Sequence, residues 1–255
     1  MIIQLGIIPF SIVYLLLLIV LAVMSYCRIG QSRLLLLASV RMTIQLILAG
    51  LVLTYIFENP HPAFTVAYIA AMTVFASHRV LSLNKHLSRR FKIIVVSSLT
   101  AASLSLILFL IGAVIRADIF NPQYTIPLGG MVIGNAMTGL NLGLKTFNEQ
   151  LMLQKTRLDT LLNLGVDPQR ILSPIANQAL ETALLPTMNS MLGMGVVALP
   201  GMMTGQILSG TLPTTAIMYQ IAIMITVCCV TCLAVFGALY GGCRTMWNRQ
   251  KQWCF

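Results

Sequence analysis

The chain has 255 residues, 58% of them apolar and 9% charged, with 16 Lys and Arg against 6 Asp and Glu and a formal net charge of +10. A soluble domain usually carries about 25% charged residues, so this composition excludes an ordinary water-soluble enzyme. The basic excess belongs with membrane topology and anionic lipid headgroups and not with nucleic acid.

Seven apolar stretches follow one another: Ile7–Tyr26, then 34–57, 63–77, 93–115, 124–144, 182–208 and 214–239. Most reach the ~20 residues needed to cross ~30 Å of hydrocarbon as a helix. Helices are expected throughout because lipid leaves unpaired backbone groups unsatisfied. The first stretch has neither a basic leader nor a small-residue cleavage site and is read as a retained span. The third is short and borrows Pro62, His78 and Arg79. Between the spans, basic residues alternate with nearly uncharged links. Arg28, Arg33 and Arg41, the segment 78–92, the segment 145–170, and Arg244, Arg249 and Lys251 fall on one side. Arg116 alone falls on the other. The positive-inside rule then puts the N-terminus outside and the C-terminus in the cytoplasm, which requires an odd number of spans. The expected architecture is all-α: one polytopic membrane domain over residues 1–255 with seven transmembrane helices.

Residues 145–181 form the longest cytoplasmic excursion and are sharply punctuated. A helix is expected over 147–164, ended by Gly165 as a left-handed cap. Asp167-Pro168 reads as N-cap and first helical residue, and Ser173-Pro174 repeats the signal. Short helix, turn, short helix and turn are therefore expected before the sixth span.

Glycine pairs spaced G-x-x-x-G occur at 130/134, 139/143, 201/205 and 237/241. Such pairs let helix backbones approach in lipid, and spans five and six are expected to form the closest seam, within the chain or between chains. The cysteines are at 27, 228, 229, 232, 243 and 254. Cys229 and Cys232 make a C-x-x-C inside an apolar span, where cysteine is ordinarily a small packing residue.

Ionisable and polar groups inside spans are costly and therefore candidates for function. Arg41 and Gln45 share a face of the second span, and Glu181 opens the sixth at the same depth. Arg41 either snorkels to headgroups or pairs with Glu181. The fifth span offers Met131, Asn135 and Met137; the sixth offers Asn189, Met191, Met194, Pro200, Met202 and Met203. Pro200-Gly201 is expected to interrupt its helix in mid-span, as broken helices do beside transporter sites. Thioethers, an amide and freed carbonyls suit a metal ion, soft if sulfur dominates and hard if oxygen does. The same residues read equally as space-fillers and a packing kink, so no metal ligand is assigned. No G-x-x-x-x-G-K-[ST], H-E-x-x-H or G-x-S-x-G occurs, which leaves the chain without a P-loop or the usual hydrolase signatures.

The runs IPLGGMVIGNAM at 126–137 and LPGMMTG at 199–205 resemble the signature regions of the FetB family. Val40-Arg41 with Gln45, Leu164-Gly165 and the run 183–186 extend the likeness over about residues 35–240. The family comprises permease subunits of bacterial ABC systems implicated in iron export, with plant relatives linked to aluminium tolerance. The resemblance implies a bacterial inner-membrane protein, no catalysis or cofactor on this chain, and a separate ATPase partner that binds ATP and Mg. It also implies a second copy of the chain and a metal-ion substrate. Asp159, Gly165 and Ile175 keep the spacing of an ABC permease coupling loop, joined by Asp167 and Pro168 at the turn. Asp stands for Glu there, and Asn177-Gln178 replaces the usual Leu-Pro. The rival readings are a secondary transporter or channel for a metal ion or small organic substrate, working without an ATPase, and a non-transporting scaffold.

Overall fold

The computed structural model describes residues 7–85 and 87–246, with side chains from residue 12 onward. His86, Arg249, Lys251 and Cys254 lie outside the described residues. Among those described, every regular element is helical, the one extended pairing being an isolated bridge between Met194 and Ala198. The helices are α1 (Ile7–Tyr26), α2 (Ser32–Glu58), α3 (Pro62–Leu83), α4 (Arg89–Leu108), α5 (Pro122–Leu153), α6 (Lys155–Asn163), α7 (Pro168–Gly193), α8 (Gly201–Leu208) and α9 (Pro213–Cys243). Among the described residues, four segments are long and apolar enough to cross a membrane: α2, α3, Arg89–Ile115 and α9.

Two compact units divide the chain, Met1–Pro60 and His61–Phe255. In the first, α1 and α2 form a helical hairpin bridged by a 2.7 Å hydrogen bond between Tyr14 Oη and Thr43 Oγ1. Both helices are apolar almost all round, as befits segments solvated by lipid.

The second unit holds the core. There α9 packs on α4, α5, α7 and α8, while α3 packs on α5. Its two ends differ in chemistry. At one end Phe91 and Phe147 lie with ring centroids 6.5 Å apart, close to Arg89, Arg90 and Lys92 in sequence. At the other, Thr65 Oγ1 donates to Phe120 O at 2.9 Å and Thr125 Oγ1 to Ile119 O at 2.6 Å, bracing the link before α5. Thr65→Val keeps the shape and leaves the Phe120 carbonyl short of a partner. It should cost about 1 kcal/mol, read as a fall of about 2–4 °C in the detergent unfolding midpoint.

Helix α4 does not end at Leu108 but widens into a π-helical turn, Phe109–Ile115, capped by Arg116 at φ +57°. A cation at a helix C-terminus meets the negative end of the macrodipole. This gives a physical reason for a basic residue at Arg116.

The third stretch is longer than its apolar core suggested, because α3 starts on Pro62 and continues past His78 and Arg79 to Leu83. Three expectations need correction. Ser173-Pro174 starts no new helix: α7 runs unbroken over 26 residues with Pro174 and Pro186 inside it. Ser173 Oγ donates at 3.3 Å to Arg170 O, the carbonyl that Pro174 leaves without its helical donor. The helix expected over 147–164 is two helices, since α5 reaches Leu153 and α6 begins at Lys155.

Within the chain, the closest seam is also not between spans five and six but between α4 and α9. Gly139 and Gly143 face Thr231 and Val235 of α9 and Ala183 of α7, and Gly237 and Gly241 face Ser98 and Ile94 of α4. Gly134, Gly201 and Gly205 have open space where a Cβ would sit. The glycine pairs that matter therefore set α5 against both α9 and α7, and α9 against α4.

Candidate functional site: a methionine cavity and a punctuated turn

The sixth apolar stretch breaks over residues 194–200, beginning well before Pro200. Met194 leaves α7 in an extended conformation, and Gly195 takes φ +86°. The freed backbone groups pair again locally, with Gly195 N donating to Ala198 O at 3.0 Å and Ala198 N to Gly193 O at 3.2 Å. Pro200 then serves as the N-cap of α8. The break thus makes a small hairpin in which these two bonds re-pair part of the backbone, and it begins six residues before the Pro200 at which the sequence placed it.

What the break does is bring thioethers together. A cavity of about 450 Å³ lies between the end of α7, α8 and the first turns of α9. Met191, Met194, Met203 and Met224 line it, with Gln220 among them. Gln220 is buried, and its Nε2 donates to Met194 Sδ at 3.8 Å while Oε1 has no hydrogen-bond partner.

Met224 also lines a second cavity of about 100 Å³ with Asn135, Thr138, Thr187 and Ser190. Thr138 Oγ1 donates to Gly134 O and Ser190 Oγ to Pro186 O, both at 2.9 Å, and Asn135 Nδ2 donates to Met131 O at 2.8 Å. A hydroxyl has one proton. With it spent on their own helices, Thr138 and Ser190 offer a guest only acceptor lone pairs. Thioethers and hydroxyl acceptors together favour a cation over an anion.

Of the path residues expected from sequence, Asn135 and Met203 reach these cavities. Met131, Met137 and Met202 pack partly buried against the core. Asn189 is exposed on α7. Gln220 and Met224 escaped the reading, though an amide inside the seventh apolar stretch is the signal that singled out Asn135. Arg41 and Gln45 line one groove along α2 in the first unit, together with Arg33. Glu181 lies exposed in the middle of α7. Among the described residues no group of three or more His, Cys, Asp or Glu is placed to hold a metal, and the five described cysteines are free.

At the other end of the second unit, α6 is pinned by Leu158, which is buried in the core, with Leu161 and Leu162 packed beside it. The chain then reverses at Gly165, φ +80°. Gly165 N donates to Leu162 O at 2.9 Å and Val166 N to Leu161 O at 3.1 Å. Those two bonds are the 5→2 and 6→1 pair of a Schellman cap. Asp167 is the N-cap of α7 without a side-chain cap bond, and Pro168 follows at the first turn. Asp159 is half-buried and Asp167 exposed, whereas Pro168 and Ile175 are buried and hold the turn from below. Leu153 and Leu164 stand out at 79% and 73% exposed, in a segment rich in charged residues.

Residues 7–247 match the uncharacterised protein family UPF0014. The chain belongs to this family. Within UPF0014 it is similar to the membrane protein YjkA of Bacillus subtilis, 30% identical over 88% of this chain and 90% of the relative. The rice membrane protein STAR2 is 34% identical over 77% of this chain and 68% of its own. A further relative is named "Probable iron export permease protein FetB" in Escherichia coli, 28% identical over 83% of this chain and 81% of its own. No solved structure matches the chain. The family match agrees with the resemblance carried by residues 126–137 and 199–205, and the word permease belongs to the name of the Escherichia coli relative.

Proposed function

We infer that the chain is the membrane-spanning subunit of an ABC exporter, moving iron or another metal ion with ATP hydrolysed on a separate subunit. The observation that carries this reading is the Gly165 turn. Two helices anchored in the core by Leu158 and Ile175 meet at a rigid Schellman cap, with exposed Leu164 beside it. A flexible loop could not transmit force; a turn locked to core helices moves as one body with them. Leu153 and Leu164, left exposed on a charged segment, offer a partner protein apolar contacts.

In this reading all seven apolar stretches cross the bilayer, with the N-terminus outside and the Gly165 turn in the cytoplasm, where ATP is. The broken sixth stretch counts as one span, with α8 completing what α7 begins. Mg-ATP belongs to the partner ATPase, and two copies of the chain pair with two ATPases in the bacterial inner membrane. A helix break beside a polar cavity supports transport over a scaffold role. The name of the Escherichia coli relative supports outward movement of a metal.

The test is reconstitution of the chain with its ATPase in proteoliposomes, following ATP hydrolysis and metal movement together. Gly165→Val forces a β-branched residue into φ +80°, a local cost of about 1–2 kcal/mol. Expected is retained hydrolysis with transport lowered about fivefold, a factor near 1 kcal/mol of lost coupling. Unchanged transport would remove the turn from the mechanism. Metal movement that needs no ATPase would favour a secondary transporter or channel instead.

A further inference from the structure

We propose that the cavity between α7, α8 and α9 is a binding site for a soft monovalent cation, copper(I) or silver(I), with Met191, Met194, Met203 and Met224 as thioether donors and Gln220 as the oxygen donor. This rests on reading the chain as a metal-ion permease and names the class of ion that the site selects.

Three properties of the cavity point the same way. The donors are soft. Thioether sulfur prefers copper(I)-like ions, while iron, magnesium and manganese prefer nitrogen or oxygen ligands. Four methionines drawn from three separate helices line one space of about 450 Å³, and two of them, Met191 and Met194, sit where the chain leaves α7. Methionine as simple filler has no need of a polar partner, yet Gln220 is placed among them.

That amide is the second property. Gln220 is 4% exposed, and its Oε1 is buried with no hydrogen-bond partner. A buried acceptor left empty is unfavourable, and with the amide turned so that this oxygen takes the place of Nε2, a cation beside Met194 would satisfy it. Its Nε2 already lies 3.8 Å from Met194 Sδ. A half-turn about the terminal torsion exchanges the amide oxygen and nitrogen, which sets an oxygen and a sulfur side by side.

The third is charge. No lining residue of the cavity is ionisable. Neutral donors leave the full charge of the ion in a low-dielectric space, and that Born cost grows as the square of the charge. A divalent ion suffers it roughly fourfold over a monovalent one. Soft donors and the absence of a counter-charge together select a soft monovalent ion. Met224 borders both cavities, so an ion leaving the thioethers next meets the acceptors of Thr138 and Ser190.

Silver(I) is the probe, because it shares the softness of copper(I) and does not change oxidation state. The full chain, labelled with ¹³C at the methionine methyl groups and held in nanodiscs without ATPase, is titrated with silver(I) and followed by NMR. Methyl resonances report thioether binding alone, so silver taken up by cysteine thiols leaves them unmoved. Expected is a saturable shift of four methyl signals, assigned as Met191, Met194, Met203 and Met224 by single Met→Ile substitutions, with Met131 and Met137 still. Met194→Ile and Gln220→Leu should each weaken binding at least about tenfold, the lower range for loss of a metal-supporting group. Equal shifts at every methionine, no shift at stoichiometric excess, or a stronger response to iron(II) than to silver(I) would each overturn the proposal. Because no ATP is present, failure here leaves the ABC reading standing, and failure of the ABC reading leaves this result intact.

Discussion

Leu153→Asp combined with Leu164→Asp is expected to lower ATP-driven transport at least tenfold while changing the stability of the isolated chain by no more than about 0.5 kcal/mol. Both leucines are largely exposed, so neither substitution disturbs the core, and surface changes of this kind usually stay within that limit. Bound to an ATPase, the same positions are desolvated. An unpaired carboxylate buried in an interface costs several kcal/mol, and a tenfold loss needs only about 1.4 kcal/mol. The readout is co-purification of the ATPase with the tagged chain, alongside transport in proteoliposomes. A double variant that still retains its ATPase and transports normally would show that this surface docks nothing.

The second large effect is structural. Gly139→Leu should destabilise the chain by about 3 kcal/mol, at the upper end of what overpacking costs. A Cβ at residue 139 would run into the Thr231 methyl group, with Ala183 O of α7 only 3.7 Å away. Thr231 is itself buried and donates to Val227 O at 2.8 Å, so it has little freedom to retreat. Gly134→Leu, on the same helix but facing open space, is the control. Thermal unfolding in detergent should separate the two by about 6–12 °C, at roughly 2–4 °C per kcal/mol. Equal midpoints would mean that α5 and α9 are not held at contact distance.

These two positions differ in how far the sequence revealed them. Hydropathy marks the spans well where a helix is apolar throughout, as in α2 and α9, because solvation by lipid and burial in protein ask for the same residues. Glycine spacing marks close approach but not the partner. Four G-x-x-x-G pairs look alike in sequence, yet only Gly139/Gly143 and Gly237/Gly241 both meet a neighbouring helix. Which helix supplies Thr231 or Ser98 is a tertiary fact.

Proline was the least reliable guide. Pro174 and Pro200 carry similar local signals, but Ser173 stands in for the missing donor at the first, while at the second the chain has already left the helix at Met194. The Gly165 turn was legible because a positive φ after a leucine-rich helix has few alternatives to glycine. Gln220 and Met224 were missed because the seventh stretch is so apolar that one amide in it drew no notice. Met191 and Met194 were legible as residues but not as a site, since a cavity shared by three helices has no sequence pattern.

The central claim, an ABC permease working through the Gly165 turn, is tested most directly by purifying the tagged chain from its native membrane. What accompanies it is identified, and the ATP hydrolysed by the preparation is measured in proteoliposomes. The account predicts a P-loop ATPase in equal amount, hydrolysis that requires it, and metal movement that stops when ATP is withheld. A chain that arrives without an ATPase and moves its ion at the same rate with or without ATP would contradict it.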